Sequence, residues 1–135
     1  MTYRDYVFKN ILDPISMNET NINLSDGNGS ESTVDDLLKF SNALRKHKLI
    51  EKEQFSRMIR KQSEADYGLG FKLSFEDNKK IYKHTGGSWE DQSPMGIASS
   101  LDIVNDTFTI IILTNRNPQI GGSQARRYVL DQINN

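Results

Sequence analysis

At Gly68 the period of the apolar residues changes, and that change dictates a mixed fold. Upstream the repeats are helical: Tyr3, Val7 and Ile11 stand four apart, with Tyr6 and Leu12 beside them and Pro14 closing the run. This helix opens almost at residue one and is expected to start without a cap. Residues Ser16 to Glu31, rich in Asn, Ser, Gly and Asp, read as a long loop, a kind that in compact domains often serves function. In "STVDDLLKFSNALRK", Ser32 or Thr33 can cap a second helix whose first turn carries Asp35 and Asp36. Val34, Leu37, Leu38, Phe40 and Leu44 form its apolar stripe, and Phe55, Met58 and Ile59 mark a short third helix.

Downstream the period is two. Phe71, Leu73 and Phe75 alternate with Lys72, Ser74 and Glu76, the pattern of a half-buried strand. "EDNKK" is a polar turn and "KIYKH" returns as the second strand of a hairpin. Met95 to Val104 reads as a third strand, Asn105-Asp106 as a turn, and Thr107 to Thr114 as a fourth strand. The run Phe108 to Leu113 is apolar on both faces, which places it at the sheet's centre. A final helix begins near Ser123 and stripes through Ala125, Val129, Leu130 and Ile133. The fold class is therefore α+β, an antiparallel sheet of about four strands with helices packed on it.

The chain's 135 residues suit one domain. With 17 basic and 18 acidic residues it lacks the cationic excess that nucleic acid selects, so no nucleic-acid partner is expected. There is no cysteine, hence neither a disulfide nor a thiolate metal site. The two histidines, His47 and His84, lie far apart in sequence, and no metal or other cofactor is expected. His47, in "RKHK", belongs at the exposed end of a helix, where cations meet the dipole favourably. No apolar run reaches the roughly 18 residues of a membrane span, and no signal peptide opens the chain.

"YKHTGGSWED" is the stretch with chemical content. A basic residue and a hydroxyl at a strand end can hold a carboxylate by charge-assisted hydrogen bonds. Glycine lets a substrate lie close to the strand, and a following N–H can stabilise charge on an attacked carbonyl. For the glycine pair taken alone, a turn is the plainer reading.

The order of motifs carries more weight. "YRDYVFKNILDPISMNET", "ESTVDDLLKFSNAL", "YGLGFKL", "HTGG" and "TIIILTNRNP" together resemble, over nearly the whole chain, the C-terminal part of the serine β-lactamase and penicillin-binding-protein superfamily, in its class C and esterase-like branch. The resemblance implies that residues 1–135 form a partial domain without the half that bears the nucleophile. It implies that His84, Thr85 and Gly86 bind substrate, that the Gly87 N–H serves an oxyanion hole, and that Asn115 or Asn117 approaches the substrate-carboxylate end of the cleft. It implies a parent serine hydrolase outside the cytoplasm, acting through an acyl-enzyme on a small peptide, a β-lactam or an ester. Histidine in place of the motif's lysine, with an ordinary pKa of about 6.5, would make carboxylate recognition pH-dependent.

The departures matter as much. No serine is followed by lysine three positions on, so the nucleophile motif is missing and the chain alone is expected to be inactive. "SMN" at Ser16 to Asn18 matches the second motif only by letters. Ser88 to Gln92 replaces the family's Pro-Gly and leaves the cleft rim undefined. Asp35 and Asp36 read as first-turn charges, Trp89 as a partly buried anchor, and Tyr67 and Tyr82 as packing residues with hydrated hydroxyls. Two other functions fit the same residues. One is a non-catalytic module that binds or senses cell-wall peptide. The other is a structural piece that self-associates, as a homodimer, through an exposed sheet edge or face.

Overall fold

The structure, a computed structural model, describes residues 1–23, 30–89, 95–116 and 120–133. It divides into two compact units, Met1–Phe55 and Ser56–Asn135. Helix α1 (Tyr3–Val7) opens the first, continues through a π turn over Phe8–Leu12, and closes in a 3-10 turn over Asp13–Ile15 that contains Pro14. Contrary to the expected uncapped start, Thr2 caps it. The Thr2 hydroxyl accepts from the Asp5 N–H (3.1 Å) and the Asp5 carboxylate accepts from the Thr2 N–H (3.0 Å), which satisfies two orphan donors reciprocally. Val7, Leu12 and Met17 form the buried core of this unit, with Ile11, Ile22 and Phe40 packed against them.

Helix α2 (Val34–Arg45) is capped by Thr33, whose hydroxyl accepts from the Asp36 N–H at 3.2 Å. It ends with His47 in the left-handed region (φ 56°), where glycine is usual. The Lys48 N–H reaches the Ala43 carbonyl (2.8 Å) and the His47 N–H reaches the Leu44 carbonyl (3.1 Å). The exposed His47 ring meets Phe55 edge-on, with centroids 5.6 Å apart. Helix α3 (Lys52–Met58) follows, with Phe55 buried. The inward face of α2 follows the expected stripe in part: Leu44 is buried, Phe40 packs on the core and Leu37 is half-buried, whereas Val34 and Leu38 are exposed and Ala43 is buried in addition.

Asp36 shares that inward side. Its fully buried carboxylate accepts from the Glu19 N–H (2.8 Å), the Thr20 hydroxyl (2.9 Å) and the Lys39 ammonium (2.7 Å). Burial works against the charge, but these donors outweigh it and hold the carboxyl below the usual carboxylate range. Asp36 is thus no surface charge. It ties down the chain ahead of α2, which Asn21 and Glu31 further close by exchanging backbone hydrogen bonds of 2.9 Å.

The second unit is a four-stranded antiparallel sheet in the order β1-β2-β3-β4, with β1 at Lys72–Glu76, β2 at Lys79–Trp89, β3 at Met95–Val104 and β4 at Phe108–Arg116. The fold is α+β, as expected. Asp77-Asn78 and Asn105-Asp106 make the turns at positive φ, a conformation that Asn and Asp tolerate better than most residues. Helix α4 (Ile120–Gln132) packs on one sheet face, with Leu130 against Ile81, Val104 and Ile110.

Three expectations for this unit fail, the last of them only in part. The Phe108 to Leu113 run stands at an edge of the described sheet: Ile110 is buried and Ile112 half-buried towards α4, while Phe108 and Leu113 are exposed. On β1 it is Ser74 and Glu76 that turn towards α4, which leaves Phe75 72% exposed. Of the expected α4 stripe, Leu130 and Ile133 do face inward, joined by Gly122 and Arg126, while Ala125 and Val129 are exposed. On β1 and α4 the polar residues Ser74, Glu76 and Arg126, bonded to one another, take inward positions that apolar periodicity does not reveal.

Candidate functional site

Strand lengths create the site. The five residues of β1 pair with Lys79 to Lys83 only, whereas β2 continues to Trp89 against β3. From His84 onward, β2 therefore has a neighbour on one side and an open edge on the other, among the described residues. Which groups face that edge follows from Lys80. Its N–H donates to the Asn105 side chain (2.9 Å) and its carbonyl accepts from the Asn105 N–H (2.9 Å), so both point towards β3. Backbone groups alternate along a strand, and the β2–β3 register runs unbroken from Ile81 to Trp89. His84 and Gly86 thus bond towards β3, and Thr85 and Gly87 present their N–H and C=O groups to the open edge.

Side chains alternate as well: His84 and Gly86 stand on the sheet face away from α4, Thr85 and Gly87 on the α4 face. The glycines of "YGLGF" set the position of His84. A Cβ on Gly68 would lie 2.1 Å from the Met58 carbonyl oxygen, so only glycine fits where the chain turns past α3. Gly70 has φ 87°, and its carbonyl lies 2.9 Å from His84 Nδ1. A carbonyl can only accept, so Nδ1 carries a proton there and Nε2 is the ring atom left for other partners. On the same face the Ser99 hydroxyl reaches the Gly86 carbonyl (3.4 Å), and a Cβ on Gly86 would approach that oxygen to 3.0 Å.

On the other face a cavity of about 420 Å³ opens between the sheet and the start of α4. Thr85, Gly87, Ser100, Thr114, Ser123 and Arg126 are among its walls. Arg126 is heavily engaged: Nε donates to Asp102 (2.5 Å), while Nη1 and Nη2 donate to the two oxygens of Glu76 (3.2 and 3.4 Å). Glu76 also accepts from Lys83 (3.1 Å) and Ser74 (2.9 Å), and the fully buried Asp102 accepts from Ser100 (2.6 Å). Burial disfavours the charged form of Glu76, yet its bonds to Arg126, Ser74 and Lys83 prevail and bring its pKa down to about 2.

The structure thus gathers His84, Thr85, Gly86 and Gly87 on one exposed strand end. Asn115 is exposed on β4, with all of β3 between it and β2. Asn117 and Glu90 to Gln92 lie outside the described residues. Tyr82 departs from its expected hydration: it is 1% exposed, and the Lys80 ammonium lies 5.0 Å from its ring centroid. Glu76, Asp102 and Arg126 escaped sequence reasoning. Their one signal was a charge on an otherwise inward-facing period, at Asp102 between Leu101 and Ile103 and at Arg126 four residues before Leu130. No group of three or more metal-ligating side chains exists among the described residues, and no described helix is long and apolar enough to cross a membrane.

No protein-family model and no curated protein matches the sequence. Among solved structures, a penicillin-binding protein from Bacillus halodurans superposes with a TM-score of 0.69 at 16% identity. The superposition covers 93% of this chain and 48% of that one, so the chain spans about half the length of the protein whose fold it shares.

Proposed function

We propose that this chain supplies the substrate-binding wall of a serine-hydrolase-type acyl-transfer site, of the kind used by penicillin-binding proteins and related peptidases and esterases. The observation that carries the reading is the open edge of β2, where Thr85 and Gly87 present backbone groups with no partner among the described residues, beside His84. An extended peptide can add to such an edge as a further strand. Its carbonyl would then lie within reach of the Gly87 N–H, a donor suited to a developing oxyanion. His84, turned by the Gly70 carbonyl, would meet a substrate carboxylate on the sheet face away from α4. The resemblance in motif order and the shared fold support this reading, and they also favour a whole protein that works outside the cytoplasm.

The 135 residues hold no Ser-x-x-Lys, so this polypeptide binds without acylating. The test is an NMR titration with benzylpenicillin and with an acylated D-Ala-D-Ala dipeptide. The Thr85 and Gly87 amides exchange fast with solvent in the free chain and become protected on binding, while those of His84 and Gly86 are protected throughout. Ligand-induced changes confined to other residues would sink the proposal.

A further inference from the structure

We infer that the cavity beside Thr85 and Gly87 is a subsite for an uncharged hydrogen-bonding group, such as a carboxamide or a hydroxyl, and that it rejects carboxylates. The inference rests on the proposed function only for the identity of the molecule that carries the group. Among the described residues, Arg126 is the one cation lining the cavity, and an arginine beside a ligand cavity ordinarily suggests an anion. Here that charge is already spent. Around Arg126 stand Asp102, Glu76 and Lys83, so two cations face two carboxylates in a cluster whose side chains are no more than a quarter exposed. An entering carboxylate would bring a third negative charge into it and would lose its own hydration.

Hydrogen-bonding capacity nevertheless remains. A guanidinium has five N–H bonds, and those made to Asp102 and Glu76 use three of them, which leaves two donors on Arg126 without a partner among the described residues. The hydroxyls of Thr85 and Ser123 add groups that both donate and accept. Donors without net charge suit the dipole of an amide or alcohol. Since His84 stands on the opposite sheet face, a substrate carboxylate would have to be met from that side, outside this cavity.

The discriminating experiment compares N-acetylglycinamide with N-acetylglycine at pH 7, near-isosteric probes of which only the second is anionic. Binding is followed by the Thr85 and Gly87 amides, the Ser100 amide and the Arg126 Nε–H resonance. The amide is expected to shift these signals with at least fivefold higher affinity than the acid, and its affinity should hold constant from 50 to 500 mM NaCl. Glu76→Gln, which leaves the cluster with a net positive charge, is expected to raise the acid's affinity at least tenfold. Equal or tighter binding of the acid by the unaltered chain overturns the inference, as does silence of the cavity signals with both probes. If Glu76→Gln does not fold, the salt series on the unaltered chain decides, because an anion held by charge would weaken steeply over that range. A dipeptide that protects the Thr85 and Gly87 amides while the Arg126 signal stays fixed would overturn the subsite and leave the strand-edge reading standing.

Discussion

Single residues hold this chain together by bonds that their type does not advertise. Asp36 accepts three hydrogen bonds in a site closed to water, and two of them reach the chain 16 and 17 residues earlier. Asp36→Ala would strand those donors, so a loss of about 2–4 kcal/mol in urea unfolding is expected; a loss below about 0.5 kcal/mol would show the carboxylate to be dispensable. The glycines of "YGLGF" divide two tasks between them. Gly68→Ala forces a Cβ into the Met58 carbonyl and should leave little folded protein. Gly70→Ala meets open space but keeps φ at 87°, a cost of about 1–2 kcal/mol. If the Gly70 carbonyl fixes the His84 tautomer, the 15N shifts of that ring will move in Gly70→Ala while the rest of β2 stays in place. An unchanged ring would mean that the bond does not position it.

Elements are where sequence and structure part company most clearly. The hairpin turns, the four strands and the terminal helix were legible, because Asn-Asp and Asp-Asn pairs at turns and period-two alternation are local signals. The strand order and the inward faces were not. Phe108 to Leu113 has the composition of a central strand, yet it lies at an edge of the described sheet, and its position depends on partners the run does not encode. The same limit hid the Glu76–Arg126–Asp102 network, whose members lie on β1, α4 and β3. That network has a pH signature. Glu76 has a folded pKa of about 2 against an ordinary 4.5, so the stability it confers is complete above about pH 4.5 and is lost as pH falls towards 2. Thermal unfolding should show a lower midpoint at pH 3 than at pH 6, with a smaller gap in Glu76→Gln; an equal gap would assign the acid sensitivity elsewhere. Leu130, fully buried against Ile81, Val104 and Ile110, carries the apolar part of the α4 contact. Leu130→Ala should cost about 2–5 kcal/mol and loosen the helix that walls the cavity.

At the scale of the whole molecule, the sheet leaves two kinds of surface unmet. The β2 edge beyond Lys83 is open among the described residues, and the face bearing His84 exposes Phe75 (72%), Ile97 (64%) and Leu113. Exposed apolar residues on a sheet beside an unpaired strand edge are a template for pairing with another chain. Two copies are one way to meet that need, because a strand edge is self-complementary when two antiparallel copies meet about a two-fold axis. The same edge is the one a peptide would use, so self-association and substrate binding would compete. Light scattering from about 10 µM to 1 mM should show mass rising towards that of a dimer. Ile97→Lys, which puts a charge on the apolar face beside β2, should shift the rise to at least tenfold higher concentration. The dipeptide used to test the proposed function should do the same to the unaltered chain, by occupying the edge. A constant monomer mass over the whole range would remove the dimer and leave the edge free for substrate. A dimer that forms equally well with saturating dipeptide would place the contact on the apolar face rather than on the Thr85 and Gly87 edge.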